Sequence, residues 1–214
     1  MLGCQEDRKL ESQEVGISDF QSLQAFKSSS LKHSEIFGMS QPQEPKPAKL
    51  VIGLFMKDRA LFEPLAAELV SEFGSLDMVS PWLLFHYTTY YEQEMGTPLF
   101  RRLLAFKSLI EQLQLATVKL TTNRLEIQYS RNGRRRVNID PGYLSYERFV
   151  LASGKNFSHR IYIGQRVFAD LTLIYKGGAF EKLPWTYPDY ADRPILSFLE
   201  QVRHKYATDL MQFV

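Results

Sequence analysis

Four short stretches of this chain carry residue types that hold ligands or move protons. The first is Arg134-Arg135-Arg136-Val137-Asn138-Ile139-Asp140-Pro141-Gly142-Tyr143. The guanidinium groups of Arg134 to Arg136, Arg134 and Arg136 above all, can grip a phosphate or carboxylate through forked hydrogen bonds. Asp140, beside Asn138, can ligate a divalent cation or act as a base. Asp before Pro also starts turns, and an arginine run also suits a solvated hairpin flank. The second stretch is His159-Arg160-Ile161-Tyr162. His159 could serve as a general acid or base and Arg160 can take an anion. In a strand, Arg160 and Tyr162 share one face and His159 the other, so all three converge only if His159 precedes the strand. A lone histidine equally serves as a structural hydrogen-bonding group.

The third stretch, Tyr87 to Gly96, places three phenols and two acids near a break and suits a lid or a stacking surface. A core strand followed by a polar turn would give the same composition. The fourth is Leu183-Pro184-Trp185-Thr186-Tyr187-Pro188-Asp189-Tyr190. Two prolines stiffen it, so its aromatics lose little entropy on binding. Trp185 would otherwise plug the edge of a core.

These stretches need elements to position them. Lys49 to Met56 is a continuous apolar run of strand length, suited to burial on both faces. Ala60 to Phe73 reads as a helix, with Leu61, Leu65, Leu69 and Phe73 on one face, Asp58 at its start and Gly74 at its end. Trp82 to Tyr91 and Phe100 to Ile110 read as extended, with a break at Met95-Gly96-Thr97-Pro98. Gln112 to Tyr129 reads as a helix, weakened by Thr117-Val118 and Thr121-Thr122. Asn123 with Glu126 could cap a shorter one. Asn132-Gly133 turns the chain into a strand over Val137 to Asp140, which Pro141-Gly142 ends. The order strand, helix, strand, strand, helix, strand predicts an α+β fold with a ferredoxin-like split βαβ core. The remainder predicts an appended antiparallel β-hairpin layer, with strands over Arg160–Gly164 and Arg166–Tyr175, a turn at Lys176-Gly177-Gly178 and a return over Phe180–Leu183. A C-terminal helix follows over Ile195–Tyr206, with Leu196, Leu199, Val202 and Tyr206 inward.

The chain has 214 residues, 44% hydrophobic and 23% charged, as for a globular protein. No apolar run approaches the ~20 residues that cross a bilayer, so no membrane partner is expected. Cys4 is the only cysteine, which excludes an intramolecular disulfide and a cysteine-rich zinc site. Residues 1–10 lack the apolar core of a signal peptide, and a cytoplasmic location is expected. A net charge of +2 and dispersed basic residues disfavour nucleic acid. P-loop, HExxH, GxSxG and GxGxxG patterns are absent. Residues 1–48 are polar, end in a proline-rich stretch and read as a disordered extension or the product of an early start, with Met39 a natural alternative. The other reading of that tail is a partner-binding patch at Phe20, Leu23 and Phe26. Residues 49–214 then form a single α+β domain.

Tyr90-Tyr91-x-x-Glu94-Met95-Gly96, Thr122-Asn123-x-Leu125-Glu126, Gly133 to Tyr143, His159 to Tyr162 and Leu183 to Tyr190 occur in one order. Together they resemble a bacterial family known as a domain of unknown function, over roughly Pro45 to Leu210. Some members of that family carry a GTP-binding label, but the P-loop and guanine-reading motif that would justify it are missing here. The resemblance implies no activity. It does bring Tyr91, Glu94, Asn123, Glu126, Tyr143 and Asp189 into the candidate site with the residues above. The resulting expectation is a protein that binds or acts on a phosphorylated or nucleotide-like small molecule. Arginines take the anion, aromatics the flat part, and Asp140, His159 and Glu94 the proton or metal work. The alternative is a non-enzymatic partner-binding module around Trp185. RNA binding through Arg131 to Arg136 is a third, weaker-founded reading. Cofactor, metal and oligomeric state are left open.

Overall fold

The structure, a computed structural model, describes residues 40–211. The tail patch at Phe20, Leu23 and Phe26 and the start at Met39 lie outside these residues. Strand β1 (Ala48–Met56) is buried along its whole length, as the apolar run from Leu50 to Met56 requires. Helix α1 (Phe62–Phe73) follows a short 3-10 turn that Asp58 caps by accepting from the Ala60 amide at 3.1 Å. Gly74 ends it at a φ of 90°, a left-handed value that favours glycine.

Strands β2 (Leu76–Val79) and β3 (Leu83–Phe85) lie end to end along β4 (Leu99–Ile110), and helix α2 (Glu92–Met95) is a single turn between β3 and β4. Helix α3 (Leu115–Gln128) leads into β5 (Val137–Leu144) and β6 (Arg148–Ser153). Strands β7 (Arg160–Tyr162) and β9 (Ala179–Lys182) both pair with β8 (Phe168–Lys176), and helix α4 (Arg193–Met211) closes the described chain. All pairings are antiparallel, in the order β2-β4-β1-β5-β6-β8-β7. The described domain is therefore α+β, built on one antiparallel sheet with a C-terminal helix.

Alternation along β1 sends Leu50, Ile52, Leu54 and Met56 to the face packed with residues of α1 and α3. Val51 goes to the opposite face, where Ile195, Phe198, Leu199, Val202 and Tyr206 of α4 cover it with Leu103 and Phe149. At the start of β1, the Lys49 side chain is fully buried, its ammonium 2.5 Å from both Asp77 and Asp209. This ties α4 to the sheet.

Several sequence expectations are corrected. The strand does not end at Pro141-Gly142. β5 runs through both residues, pairing Pro141 with Ile52 and Gly142 with Val51. Pro141 has no amide to donate, so it stops only the other ladder: β6 pairs with β5 over Gly142–Leu144 and no further. A Cβ on Gly142 would sit 2.5 Å from the Val150 carbonyl oxygen, so close strand approach explains the glycine, not a turn. Only Leu83–Phe85 of the stretch from Trp82 to Tyr91 is strand, because the tyrosines form a loop. Asn123 lies inside α3. The cap is made by Glu111 and Gln114 on the preceding 3-10 turn, which offsets the threonines' weak propensity. β2 and β6 are strands not expected from the sequence. β6 joins β5 to β8, so the later strands extend the same sheet and form no separate layer. On α4, Leu199, Val202 and Tyr206 face inward as expected, Ile195 and Phe198 join them, and Leu196 is only partly covered.

Candidate functional site

Strand register decides which polar groups meet. Phe55 pairs with Arg101 on one side and Asn138 on the other, and Gly53 pairs with Asp140. Arg101, Asn138 and Asp140 therefore share the α4 face of the sheet. On the far side, Asp170 of β8 pairs with Arg160 of β7 and Leu151 of β6. Where the β5–β6 ladder has stopped at Pro141, β6 continues against β8 through Ala152 and Ser153. A cavity of about 370 Å³ opens there, with Asp140 on one wall and Leu151, Ala152 and Ser153 on the other. Tyr87, Tyr90 and Tyr91 of the β3–α2 loop and Tyr187 and Tyr190 of the loop before α4 complete its lining.

The opening exposes strand edge groups that need partners. Helix α3 supplies them: Glu126 accepts the Ile139 amide at 2.6 Å and Lys119 donates to the Ile139 carbonyl at 3.0 Å. A second chain of bonds fixes Asp140. Glu94 receives Nε and Nη2 of Arg135 at 2.8 and 2.7 Å, Arg135 Nη1 donates to Asn138 at 2.9 Å, and Asn138 Nδ2 donates to Asp140 Oδ2 at 2.9 Å.

On the opposite wall Arg160 has four of its five N–H donors engaged. Its Nε donates to Asp170 at 2.9 Å, its Nη1 to Ser153 at 3.0 Å and the Lys155 carbonyl at 2.9 Å, and its Nη2 to the Tyr187 hydroxyl at 2.7 Å. Arg101 is different. It is 2% exposed, pairs through Nη1 with Asp189, and lies with its guanidinium carbon 4.2 Å from the Tyr190 ring centroid. Its Nε and Nη2, and the Tyr190 hydroxyl, are buried without a hydrogen-bond partner. Gly53 makes this arrangement possible: a Cβ there would lie 2.8 Å from the Tyr190 oxygen and 3.0 Å from Arg101 Nη2.

Burial pushes the Tyr91 phenol up to about 12, with the nearby Asp140 adding to the effect, and burial and a hydrogen bond to Asp192 do the same for Tyr87. Burial raises Tyr190 further. All three are proton donors at neutral pH. Hydrogen bonding from Arg135 holds Glu94 below the usual carboxyl range, and burial raises Glu126.

Of the residues singled out in the sequence, Asp140, Tyr91, Arg160, Tyr187 and Asp189 line the cavity. Asn138 stands one contact behind it, Glu94 reaches Asp140 only through Arg135 and Asn138, and Glu126 holds the neighbouring Ile139 amide. His159 precedes β7 and reaches Asp170 at 3.3 Å while stacking on Trp185 at 5.0 Å, and Trp185 donates to the Leu171 carbonyl. The remaining candidates lie elsewhere. Arg134 is on the exposed hairpin, and Arg136 bonds Asp58 at 3.1 Å beside α1. Asn123 is within α3, Tyr143 is buried with Val150 and Val167, and Tyr162 is exposed on β7.

Sequence reasoning passed over Arg101, Asp170 and Lys155, and held Arg135 and Tyr190 only as members of the basic run and the aromatic loop. Two left a signal: Arg101 occupies the apolar phase of Leu99, Leu103 and Ala105, and Asp170 interrupts an apolar strand. A charge on a buried phase needs a partner, and so marks a site. Among the described residues no group of three or more His, Cys, Asp or Glu is placed to hold a metal, and no helix is long and apolar enough to cross a membrane.

The fold and cavity define an α+β domain with an aromatic, charge-lined pocket at a split in its sheet. The chain belongs to the family described as a domain of unknown function, DUF4416, whose model matches residues 46–206. No curated protein and no solved structure matches it.

Proposed function

We propose that this domain binds, or acts on, a small anionic molecule of phosphorylated or nucleotide-like character in the cavity between Asp140 and Arg160, within the cytoplasm. The observation that carries this reading is Arg101: a buried guanidinium on the cavity wall with two nitrogens unpartnered. Buried donors are almost always satisfied, so a ligand oxygen is the natural complement. Lys155 on the opposite wall adds positive charge, and the tyrosines offer stacking surfaces. The volume suits a small metabolite.

Thermal-shift screening against nucleotides, sugar phosphates and divalent metals tests it. A phosphorylated compound at a hundred times its Kd should add about 2.7 kcal/mol of stability, and that shift should vanish in Arg101→Met. A panel that leaves the melting point unmoved would defeat the reading.

The half-sheet β2-β4-β1-β5, with α1 following β1 and α3 following β4 on one face, supports reading the core as ferredoxin-like. A second functional reading, a partner-binding module, draws on Trp185 at 37% exposure stacked on His159, itself against Phe157 at 64%. Trp185→Ala separates the two, since it spares every hydrogen bond on the Arg101 wall of the cavity.

A further inference from the structure

The inventory of donors and acceptors around the cavity narrows the ligand further, granted the anion-binding reading above. Most polar groups on the walls are already committed. Asp170 is held by Arg160 and His159, and Asp189 by Arg101. Arg160 has engaged four of its five N–H donors and keeps one on Nη2. Unspent donors dominate what is left. They are Arg101 Nε and Nη2, the Tyr190 hydroxyl, the Tyr91 hydroxyl, and Lys155, whose ammonium has three protons and one contact, to Tyr90 at 3.4 Å. The Tyr187 hydroxyl accepts from Arg160, so its own proton is also free.

Against these stands one unspent acid. Asn138 occupies Oδ2 of Asp140, and Oδ1 has no hydrogen-bond partner among the described residues. Glu94, Arg135 and Asn138 lock this carboxyl in place, while Phe55 and Phe85 keep the wall beside it apolar. A bare anion would satisfy the donors and leave Asp140 facing negative charge with nothing to accept. An ammonium group on the ligand would answer Asp140 but would sit among Arg101 and Lys155. A neutral donor meets both demands, and on a phosphate ester the simplest such group is a hydroxyl.

We propose that the ligand is a phosphate monoester bearing a free hydroxyl, as in a sugar or polyol phosphate, and that Asp140 is the residue that selects the hydroxyl. The phosphate engages the donors of Arg101, Tyr190, Tyr91 and Lys155. Three terminal oxygens match that many donors better than the two of a carboxylate. The hydroxyl donates to Asp140 Oδ1. The site therefore discriminates between phosphates of equal size and charge, because a partner without the hydroxyl leaves Asp140 desolvated and unpaired.

Calorimetric titration of the intact chain with glycerol 3-phosphate, n-propyl phosphate and inorganic phosphate tests this. The first two share a three-carbon skeleton and differ in the hydroxyls. Glycerol 3-phosphate should bind about ten- to a hundredfold more tightly than propyl phosphate, the range of a hydrogen bond to a charged group. In Asp140→Ala that ratio should fall to near one, with propyl phosphate binding no worse than to the wild type. Circular dichroism and the melting point of Asp140→Ala establish that it is folded. Asp140→Asn, which keeps an acceptor oxygen, should retain part of the ratio. Equal affinity for the two esters in the wild type, or an unchanged ratio in Asp140→Ala, would overturn the selection by Asp140 and leave anion binding standing. No binding of any of the three would overturn both.

Discussion

Glu126 offers the sharpest test of how the sheet tolerates its opening. Its carboxyl accepts the Ile139 amide at 2.6 Å at a point where no β6 residue is available to do so, and the residue is 9% exposed. Glu126→Ala leaves that amide buried and unpaired, which costs about 1–3 kcal/mol. It also removes the charge that accompanies Lys119, an 8%-exposed residue bonded to the Ile139 carbonyl. Together the loss should be about 2–4 kcal/mol. In a domain of this size that lowers the melting point by roughly 5–15 °C.

Glu126→Gln behaves differently, because the amide oxygen still accepts from Ile139 and the cost of burying the carboxylate itself is removed, which offsets the loss of Lys119's charged neighbour. It should stay within about 1 kcal/mol of the wild type near neutrality. The sign of the pH dependence follows from burial, which raises the Glu126 pKa. A carboxyl raised on folding contributes fully below its unfolded value and loses that contribution as pH rises through the folded value. The wild type should therefore lose ground to Glu126→Gln from the ordinary carboxyl range upward. Urea unfolding across pH, with hydrogen exchange at Ile139, measures both effects. An alanine variant as stable as the wild type, or a glutamine variant as damaged as alanine, would refute the reasoning.

Lys49→Met should cost about 3–5 kcal/mol in urea unfolding, because it strands Asp77 and Asp209 around a vacated buried ammonium. The low end is expected, since Lys205 also contacts both acids. Glu94→Gln should cost about 1 kcal/mol or less at neutral pH, because its pair with Arg135 is roughly 30% exposed. Its pKa is lowered on folding, so the gap from the wild type should close as pH falls through that lowered value. A gap constant with pH, measured by unfolding midpoints, contradicts this.

Local chemistry made some elements readable and long-range register hid others. The apolar run of β1, the Asp58 and Gly74 ends of the first helix, and the turns at Asn132-Gly133 and Lys176-Gly177-Gly178 follow from neighbours in sequence. Pro141-Gly142 misled because its meaning depends on β6, a strand of six residues that the pattern did not reveal. The same blindness affected the site. Asp140 and Arg160 stood out as charges at strand positions, and both line the cavity. Arg101 did not, because its value comes from Asp189 and Tyr190, nearly ninety residues away. Arg134 and Arg136 attracted notice in a basic run, whereas the arginine between them makes the bonds to Glu94 and Asn138. Spacing along one strand gives the face a side chain occupies. It does not give the partner that strand pairing brings opposite.

The missing amide of Pro141 divides the labour between backbone and side chains. The opening between β5 and β6 is cut by main-chain chemistry, so exchanging Asp140, Tyr91 or Lys155 alters the lining of the cavity without closing it. Such a sheet can change the chemistry of its cavity while keeping its architecture, because the opening and its lining are recorded at different positions in the chain.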